Sequence, residues 1–134
     1  MTYALDTDTC ISHLRVRGAH AISARLRSQH AGEIALPCVV VSELLYGGFR
    51  AKDPQSLVAS RAFCNSFQWL PFDARVTELH AQLRADLMSR NAQIGPYNSI
   101  IAATVLANDL ILVTHNIREF SRVANLRLED WHTP

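Results

Sequence analysis

Short apolar runs alternate along the chain with longer stretches in which apolar residues recur at helical spacing. The first run, residues 3–5, ends abruptly in Asp6-Thr7-Asp8-Thr9, and the run at 110–114 is apolar almost throughout. The run at 110–114 is typical of a parallel strand that is covered on both faces. Further apolar runs lie at 33–41, 69–72 and 126–128, the last as a short edge strand.

The stretches between these runs predict helices. Residues 10–31 favour a helix that is broken near Gly18, and Ser42 is a good N-cap for a helix that Gly47-Gly48 would end or loosen. Asp73 opens a helix with a 3.6-residue apolar period. Because strands and helices alternate, the pattern predicts an α/β fold with a mainly parallel central sheet. The other predicted helices lie at 53–68 and at 97–107, after a start at Pro96.

Polar residues follow the predicted strands directly. In open α/β sheets, ligands bind beyond the carboxyl ends of the strands, so these residues are the candidates for chemistry. Asn98, in the first turn of the helix that Pro96 starts, is a further candidate. The residues that follow strands are Asp6, Thr7, Asp8, Ser42, Glu43, His115, Asn116 and Glu119.

Two acids from distant segments, Asp6 and Glu43, are expected to meet at this edge, with Glu119 as a possible third. Clustered carboxylates repel each other unless a cation lies between them. Hard oxygen ligands of this kind suit Mg²⁺ or Mn²⁺. A metal held in this way activates water and stabilises the charge that develops on a phosphodiester.

Each candidate also has a simpler interpretation. Asp6 or Asp8 fits a helix cap, and Glu43 in a first helical turn favours the helix dipole. Glu119 fits a surface pair with a neighbouring Arg, Asn98 a polar residue that closes a helical turn, and His115 a hydrogen-bonded loop residue. The remaining histidines lack zinc-ligand spacing. Taken together, these interpretations explain poorly why so many polar residues stand at strand ends.

The composition limits the class of protein. The chain has 134 residues, 49% of them hydrophobic, and 13 basic against 12 acidic residues give a net charge of +1. One domain over residues 1–134 is expected, and a histone-like basic coat is excluded. No apolar run approaches the roughly 18 residues of a membrane span. Cys10, Cys38 and Cys64 are best interpreted as buried free thiols in a reducing cytoplasm.

Arginine dominates the basic residues. Lys52 is the only lysine among the 13, and residues 9–32 contain no acid. A basic rim on this stretch would suit a nucleic-acid backbone, although a solvated helix face explains it equally well. The rim residues are His13, Arg15, Arg17, His20, Arg25, Arg27 and His30.

Four motifs in order resemble the PIN-domain ribonucleases, and specifically their VapC-type toxins. They are Leu5-Asp6-Thr7-Asp8-Thr9, Ser42-Glu43-Leu44-Leu45-Tyr46-Gly47, Ile94-Gly95-Pro96-Tyr97-Asn98, and the segment 112–120 with the closing Leu128-Glu129-Asp130-Trp131. The resemblance covers essentially the whole chain and implies a three-layer α/β/α PIN-like domain.

The resemblance also implies a function. VapC-type proteins are the toxins of bacterial type II toxin–antitoxin pairs, Mg²⁺-dependent (or Mn²⁺-dependent) endoribonucleases that cut structured RNA, in this subgroup tRNA, including initiator tRNA. They form homodimers or toxin–antitoxin hetero-oligomers, and a VapB-type antitoxin covers the active site. The resemblance implies a cytoplasmic bacterial protein without membrane contact. By the same motifs, Asp6 and Glu43 match metal-binding acids, Glu119 matches the acid of the fourth motif, and Asn116 the polar residue before it.

One position departs from the family pattern. The third motif ordinarily ends in an Asp that joins the metal ligands, and here that residue is Asn98. An Asn amide is nearly isosteric with a carboxylate but is neutral. We therefore expect weaker metal binding and reduced cleavage, with the fold and antitoxin binding kept. An engineered substitution and a natural variant both remain open.

Two other functions remain open. A catalytically dead PIN domain would titrate the antitoxin or hold RNA, and Asn98 is its main support. A haloacid dehalogenase-like phosphatase is suggested by Asp6-Thr7-Asp8, which mimics the start of that family's motif. Cys10 and the isolated Lys52 depart from the rest of the phosphatase pattern.

Overall fold

A computed structural model describes residues 1–16 and 21–132. Over these ranges five strands form one sheet in the order β3-β2-β1-β4-β5, and every neighbouring pair is parallel. With helices on the sheet's two faces, this is the predicted three-layer α/β/α fold. The strands are β1 (Tyr3–Leu5), β2 (Ile34–Pro37), β3 (Gln68–Leu70), β4 (Ile111–Val113) and β5 (Arg127–Glu129).

Helices connect the strands, and their bounds mostly follow the predicted ones. The predicted break near Gly18 lies outside the described residues. A short 3₁₀ turn, Ala31–Glu33, precedes β2. The helices are α1 (Thr7–Val16), α2 (Ala21–Ser28), α3 (Cys38–Arg50), α4 (Pro54–Asn65), α5 (Ala74–Ser89), α6 (Pro96–Ala107) and α7 (Ile117–Phe120).

The start of α3 corrects the sequence prediction. Residues 39–41 are helical, because α3 begins directly after β2 with Pro37 as N-cap. Its buried positions Val40, Leu44 and Gly48 recur every fourth residue, so burial on a helical face outweighs the strand preference of a valine run. Ser42 is therefore not an N-cap, and Glu43 lies in the second turn of α3 and not in its first.

Gly47 and Gly48 do not end α3, which continues to Arg50. Gly48 packs directly against α4: a Cβ at this position would lie 2.9 Å from Leu57 Cα. Around Gly47, by contrast, a Cβ would meet nothing within 4 Å. The glycine at 48 thus allows the close approach of α3 and α4, and this approach fixes the helix that carries Glu43.

Three predicted helix starts are confirmed. The side chain of Asp53 accepts from Gln55 N at 3.0 Å at the start of α4, and that of Asp73 accepts from Val76 N at 3.0 Å at the start of α5. Pro96 occupies the first turn of α6. Side-chain caps of this kind satisfy backbone N–H groups that the helix itself leaves without partners.

The core lies on both faces of the sheet, and Trp131 and Phe120 are its largest fully buried side chains. The cysteines are free; Cys10 and Cys64 are buried as predicted, while Cys38 is only half-buried. Burial raises the pKa of the Cys10 thiol well above its usual value. Within the described residues, no helix is both long enough and apolar enough to span a membrane.

The order of the strands defines where a site belongs. The chain leaves β1 towards β2 and β3 on one side and returns to β4 and β5 on the other. The topological switch point therefore lies between β1 and β4, at their carboxyl ends, where ligands bind in open α/β sheets. Asp6 follows β1 and Thr114 follows β4 at this point.

Candidate active site

Asp6 is the buried acid at the switch point, with 4% of its surface exposed. Its Oδ2 accepts a hydrogen bond from Thr114 Oγ1 at 2.6 Å, and its Oδ1 accepts from Thr9 N at 2.9 Å. The second bond makes Asp6 the N-cap of α1, so the capping interpretation also holds. Burial raises the pKa of Asp6 above its usual value, and the hydrogen bonds from Thr114 and Thr9 only partly oppose this.

Glu43 reaches the same segment from α3. Thr7 Oγ1, on the residue next to Asp6, donates to Glu43 Oε1 at 2.6 Å across 36 positions of sequence. This bond brings the second predicted acid to the carboxyl end of β1. Asp8, in contrast, is exposed in the first turn of α1, and Ser42 is exposed on α3.

Glu119 joins the third and fourth motifs. Its Oε1 accepts from Gly95 N at 2.5 Å and from Asn98 Nδ2 at 3.4 Å, and its Oε2 accepts from Asn116 Nδ2 at 2.9 Å. Burial raises the pKa of Glu119, but these three hydrogen bonds and the charge of Arg122 lower it by more, so the net shift is downward. Glu119 therefore accepts these bonds as a carboxylate, and within residues 1–16 and 21–132 it forms no ion pair with an Arg of the kind that the simpler interpretation supposed.

Asn98 and Asn116 donate to different oxygens of the Glu119 carboxylate. Asn116 is the N-cap of α7, and its Oδ1 accepts from Glu119 N at 3.3 Å while its Nδ2 donates to the same residue's carboxylate. The two residues are thus bonded in both directions, although the backbone N–H of Asn116 donates to Thr114 Oγ1 and not to Glu119, as it would in a capping box. Since Asn98 presents its N–H side to Glu119, its Oδ1 is the atom that remains as an oxygen donor.

The side chains at the carboxyl ends of β1 and β4 offer oxygen atoms as metal ligands. Asp6, Glu43 and the amide of Asn98 offer the hard ligands that Mg²⁺ and Mn²⁺ prefer, with one negative charge fewer than three carboxylates would supply. Over residues 1–16 and 21–132, three His, Cys, Asp or Glu ligand atoms lie within 4.8 Å of one another in one group only, and it does not include these acids. The predicted acids thus surround one sheet edge without closing to that spacing.

Some residues of the predicted basic rim are exposed, and others are engaged in contacts within the protein. Arg15 and Arg27 are exposed, and Arg15 lines a surface depression together with Glu43. Arg25 pairs with Glu129 at 3.1 Å and lies over the Trp131 ring. Burial and the charge of Arg27 lower the pKa of His13, whose Nδ1 lies 2.7 Å from Ser23 Oγ. His30 is exposed, and Arg17 and His20 lie outside the described residues.

Sequence reasoning missed the groups that orient the acids. Thr9, Thr114 and Gly95 each donate to a candidate carboxylate. Thr114 closes the predicted strand 110–114, so its place beside Asp6 follows once β1 and β4 are known to be neighbours. The backbone N–H of Gly95 carries no sequence signal at all.

Comparison with known proteins identifies the class. The profile of the PIN domain matches residues 3–126, and the chain belongs to this family. Within it the chain is a VapC-type toxin: it is 33% identical over 133 residues to the tRNA(fMet)-specific endonuclease VapC of Shigella flexneri, with 98% of each chain covered. Ribonuclease VapC2 of Rickettsia felis is 31% identical over 133 residues, also with 98% of each covered.

Solved structures agree with this assignment. The crystal structure of DNA-bound VapBC from Salmonella typhimurium superposes with a TM-score of 0.92 at 29% identity, covering 98% of both chains. VapBC2 from Rickettsia felis, bound to a DNA fragment from its promoter, gives a TM-score of 0.90 at 30% identity over 98% of this chain and 99% of that one. The family assignment leaves no room for the phosphatase alternative.

Proposed function

We propose that this protein is a Mg²⁺-dependent endoribonuclease that cleaves structured RNA, and specifically tRNA, as the toxin of a type II toxin–antitoxin pair. The observation that supports the proposal is the group of carboxylate and amide oxygens at the β1/β4 switch point, which could bind a metal ion. In addition, a relative that is 33% identical to this chain is a tRNA(fMet)-specific endonuclease. Initiator tRNA is therefore the first substrate to test.

Asp6, Glu43 and Asn98 are the proposed metal-holding residues. A bound Mg²⁺ supplies an activated water and charge stabilisation for phosphodiester hydrolysis. The protein's own contribution is orientation: Thr114 and Thr9 fix both oxygens of Asp6, and Thr7 fixes one oxygen of Glu43. Glu119 and Asn116 hold the start of α6 against α7, which positions Asn98.

The RNA would approach over the exposed arginines. Arg15 stands in the same surface depression as Glu43, and a guanidinium is well suited to phosphate oxygens. A cation that could bind phosphate and a proposed metal ligand therefore line the same depression. The arrangement supports a polyanionic substrate, even though the formal charge of the whole chain is only +1.

We further propose that Asn98 weakens the activity. Because Asn98 Nδ2 donates to Glu119, the Glu119 carboxylate has hydrogen-bond partners without a bound cation. An Asp at this position would face the Glu119 carboxylate, and the repulsion between the two would favour a bound dication. The neutral amide of Asn98 lacks the negative charge of an Asp and also avoids the repulsion from Glu119 that would favour metal binding.

The proposed partner is a VapB-type antitoxin, because VapBC complexes of Salmonella typhimurium and Rickettsia felis are among the solved structures that this chain resembles. A homodimer or a toxin–antitoxin hetero-oligomer is the expected assembly. The proposal includes a cytoplasmic location and a single domain over residues 1–134.

Asn98→Asp tests the proposal. With Mg²⁺, this variant should cleave tRNA at least about tenfold faster than the chain as it stands, the size of effect that perturbing a metal site typically has. Asn125→Asp adds the same charge at an exposed turn before β5, at the end of the sheet opposite the site, and should leave the rate unchanged. Unchanged cleavage by Asn98→Asp would show that our account of this site is wrong.

The catalytically dead binding module remains the second candidate, and the satisfied Asn98–Glu119 contact favours it. It predicts antitoxin binding without RNA cleavage, even at high Mn²⁺. Cleavage of tRNA by the chain with excess Mn²⁺, lost in Asp6→Asn, would exclude it.

A further inference from the structure

Two histidines share one carboxylate at the ends of β4 and β5. His115 Nδ1 lies 2.9 Å from Asp130 Oδ2, and His132 Nδ1 lies 3.1 Å from Asp130 Oδ1. The two imidazole rings lie against each other, with centroids 4.4 Å apart and an interplanar angle of 33°. One ligand atom from each of the three residues lies within 4.8 Å of the other two.

The register of the sheet creates this cluster. Val113 pairs with Glu129 in the parallel β4–β5 ladder, so the chain leaves both strands at the same edge. His115 follows β4 by two residues, and Asp130 and His132 follow β5 by one and three residues. The histidines are 17 positions apart in sequence, which hides the cluster from any search for zinc motifs with short ligand spacing.

We propose that His115, Asp130 and His132 bind a transition-metal dication of the Zn²⁺ type, through two imidazole Nδ1 atoms and one carboxylate, with a fourth position left for water. The N···O separations of 2.9 and 3.1 Å are those of hydrogen bonds, and a widening of less than about 1 Å would bring them to the roughly 3.3–3.6 Å between ligand atoms that lie about 2.0–2.2 Å from a shared tetrahedral ion. Imidazole suits Zn²⁺, whereas the oxygen-rich centre at Asp6 suits Mg²⁺.

The surroundings provide what such a ligand set requires. Metal-bound histidines donate their other ring N–H to a polar partner, which fixes the tautomer. His132 Nε2 lies 3.4 Å from Ser12 Oγ on α1 and can donate to it while Nδ1 faces the carboxylate. Asp130 Oδ1 also accepts from the backbone N–H of His132 at 2.9 Å, which orients the carboxylate.

Exposure gives the ion a path to the site. The side chain of His115 is 64% exposed, whereas that of His132 is only 17% exposed. The site is thus anchored on its His132 side and open on its His115 side. A bound ion would add a further link between the loop after β4 and the segment after β5, which already meet through the Asp130 carboxylate and the paired imidazole rings.

The test uses the full-length protein without an affinity tag, stripped of metal with a chelator and kept in excess Mg²⁺ to occupy the oxygen centre. Titration with ZnCl₂ by calorimetry, and with Co²⁺ by visible absorption, measures binding. We expect one Zn²⁺ per chain and a higher melting temperature with Zn²⁺. His115→Asn and His132→Asn should each weaken binding by at least about tenfold, while the exposed control His30→Asn should not change it.

Several results would overturn the proposal. They are the absence of Zn²⁺ binding by the folded wild-type chain, binding that survives both histidine substitutions unchanged, and binding that is lost in Glu43→Gln, which would assign the ion to the oxygen centre. Circular dichroism of each variant shows whether a loss of binding reflects lost folding. Because His115 is exposed, His115→Asn keeps the test decisive even if His132→Asn fails to fold.

Discussion

Thr114 Oγ1 donates to Asp6 Oδ2 at 2.6 Å across 108 positions of sequence, and this bond ties β1 to β4 at the switch point. Thr114 is fully buried and also accepts from Asn116 N at 2.9 Å. Thr114→Val keeps the shape and removes the hydroxyl, leaving buried polar groups without a partner. We expect it to lower the free energy of unfolding by about 1–3 kcal/mol, measured by urea denaturation.

Thr77→Val is the matched control for this substitution. Thr77 is exposed on α5, and its hydroxyl donates to the backbone carbonyl of Asp73, the N-cap of that helix. Its replacement should change the free energy of unfolding by less than about 0.5 kcal/mol. Equal effects of the two substitutions would show that the Asp6 contact does not stabilise the fold.

Asp6→Asn should stabilise the protein at neutral pH in the absence of divalent cations. Burial raises the pKa of Asp6, so the native state binds a proton more tightly than the unfolded chain does. Stability therefore falls as pH rises from the usual value of 3.8 through the native pKa, and the full cost persists above it. Asparagine removes the cost of burying the ionised carboxylate, so the free energy of unfolding should rise by about 0.5–2 kcal/mol at pH 7.

Two further measurements check the cause of that gain. The difference between Asp6→Asn and the wild-type chain should shrink towards zero below pH 3.8, where both side chains are neutral. Added Mg²⁺ should raise the melting temperature of the wild-type chain more than that of the variant. A gain that is independent of both pH and Mg²⁺ would contradict an electrostatic origin.

Glu119→Gln is expected to destabilise the protein at neutral pH and to have no effect on its stability in acid. The pKa of Glu119 is shifted downward overall, so its ionised form contributes stability above the usual value of 4.5, and this contribution is lost as pH falls through the lower native pKa. At pH 7 the loss should be about 1–2 kcal/mol, and it should disappear in acid. Glu78→Gln, at an exposed position on α5, is the control and should have little effect at any pH.

Adjacent glycines in α3 should respond oppositely to alanine. Gly47→Ala adds a methyl group into open space within a helix and should stabilise by about 0.5–1 kcal/mol. Gly48→Ala places a Cβ 2.9 Å from Leu57 Cα, and the overpacking should cost about 1–3 kcal/mol. Thermal or chemical unfolding measures both. Similar responses would mean that α3 does not pack on α4 as described.

The carboxyl end of β1 and the start of α6 are where the sequence pattern predicted the local structure well. Asp6 follows an apolar run that only a buried strand explains, and Asn98 follows a Pro that marks a helix start. Both positions depend on local signals of one or two residues. The fold class was equally accessible, because alternating apolar runs and amphipathic stretches permit few arrangements.

Glu43 shows where local signals fail. The valines at 39–41 favour a strand by intrinsic preference, yet packing against α4 and the sheet makes them helical and shifts Glu43 to the second turn of α3. The partners of the acids could not be predicted for a different reason. Thr114 reaches Asp6, and Gly95 reaches Glu119, only after the order of the strands and helices in space is known.

Trp131 is 1% exposed, lies 5.0 Å from the Tyr3 ring and donates its Nε1–H to Glu129 at 3.0 Å. The PIN-domain match, however, ends at residue 126. A fragment cut at that boundary is expected to lose β5, expose the edge of β4 to pairing with other chains and leave a cavity the size of an indole. The unit that folds is thus longer than the stretch that the PIN-domain profile matches, because the buried Trp131 lies five residues beyond residue 126.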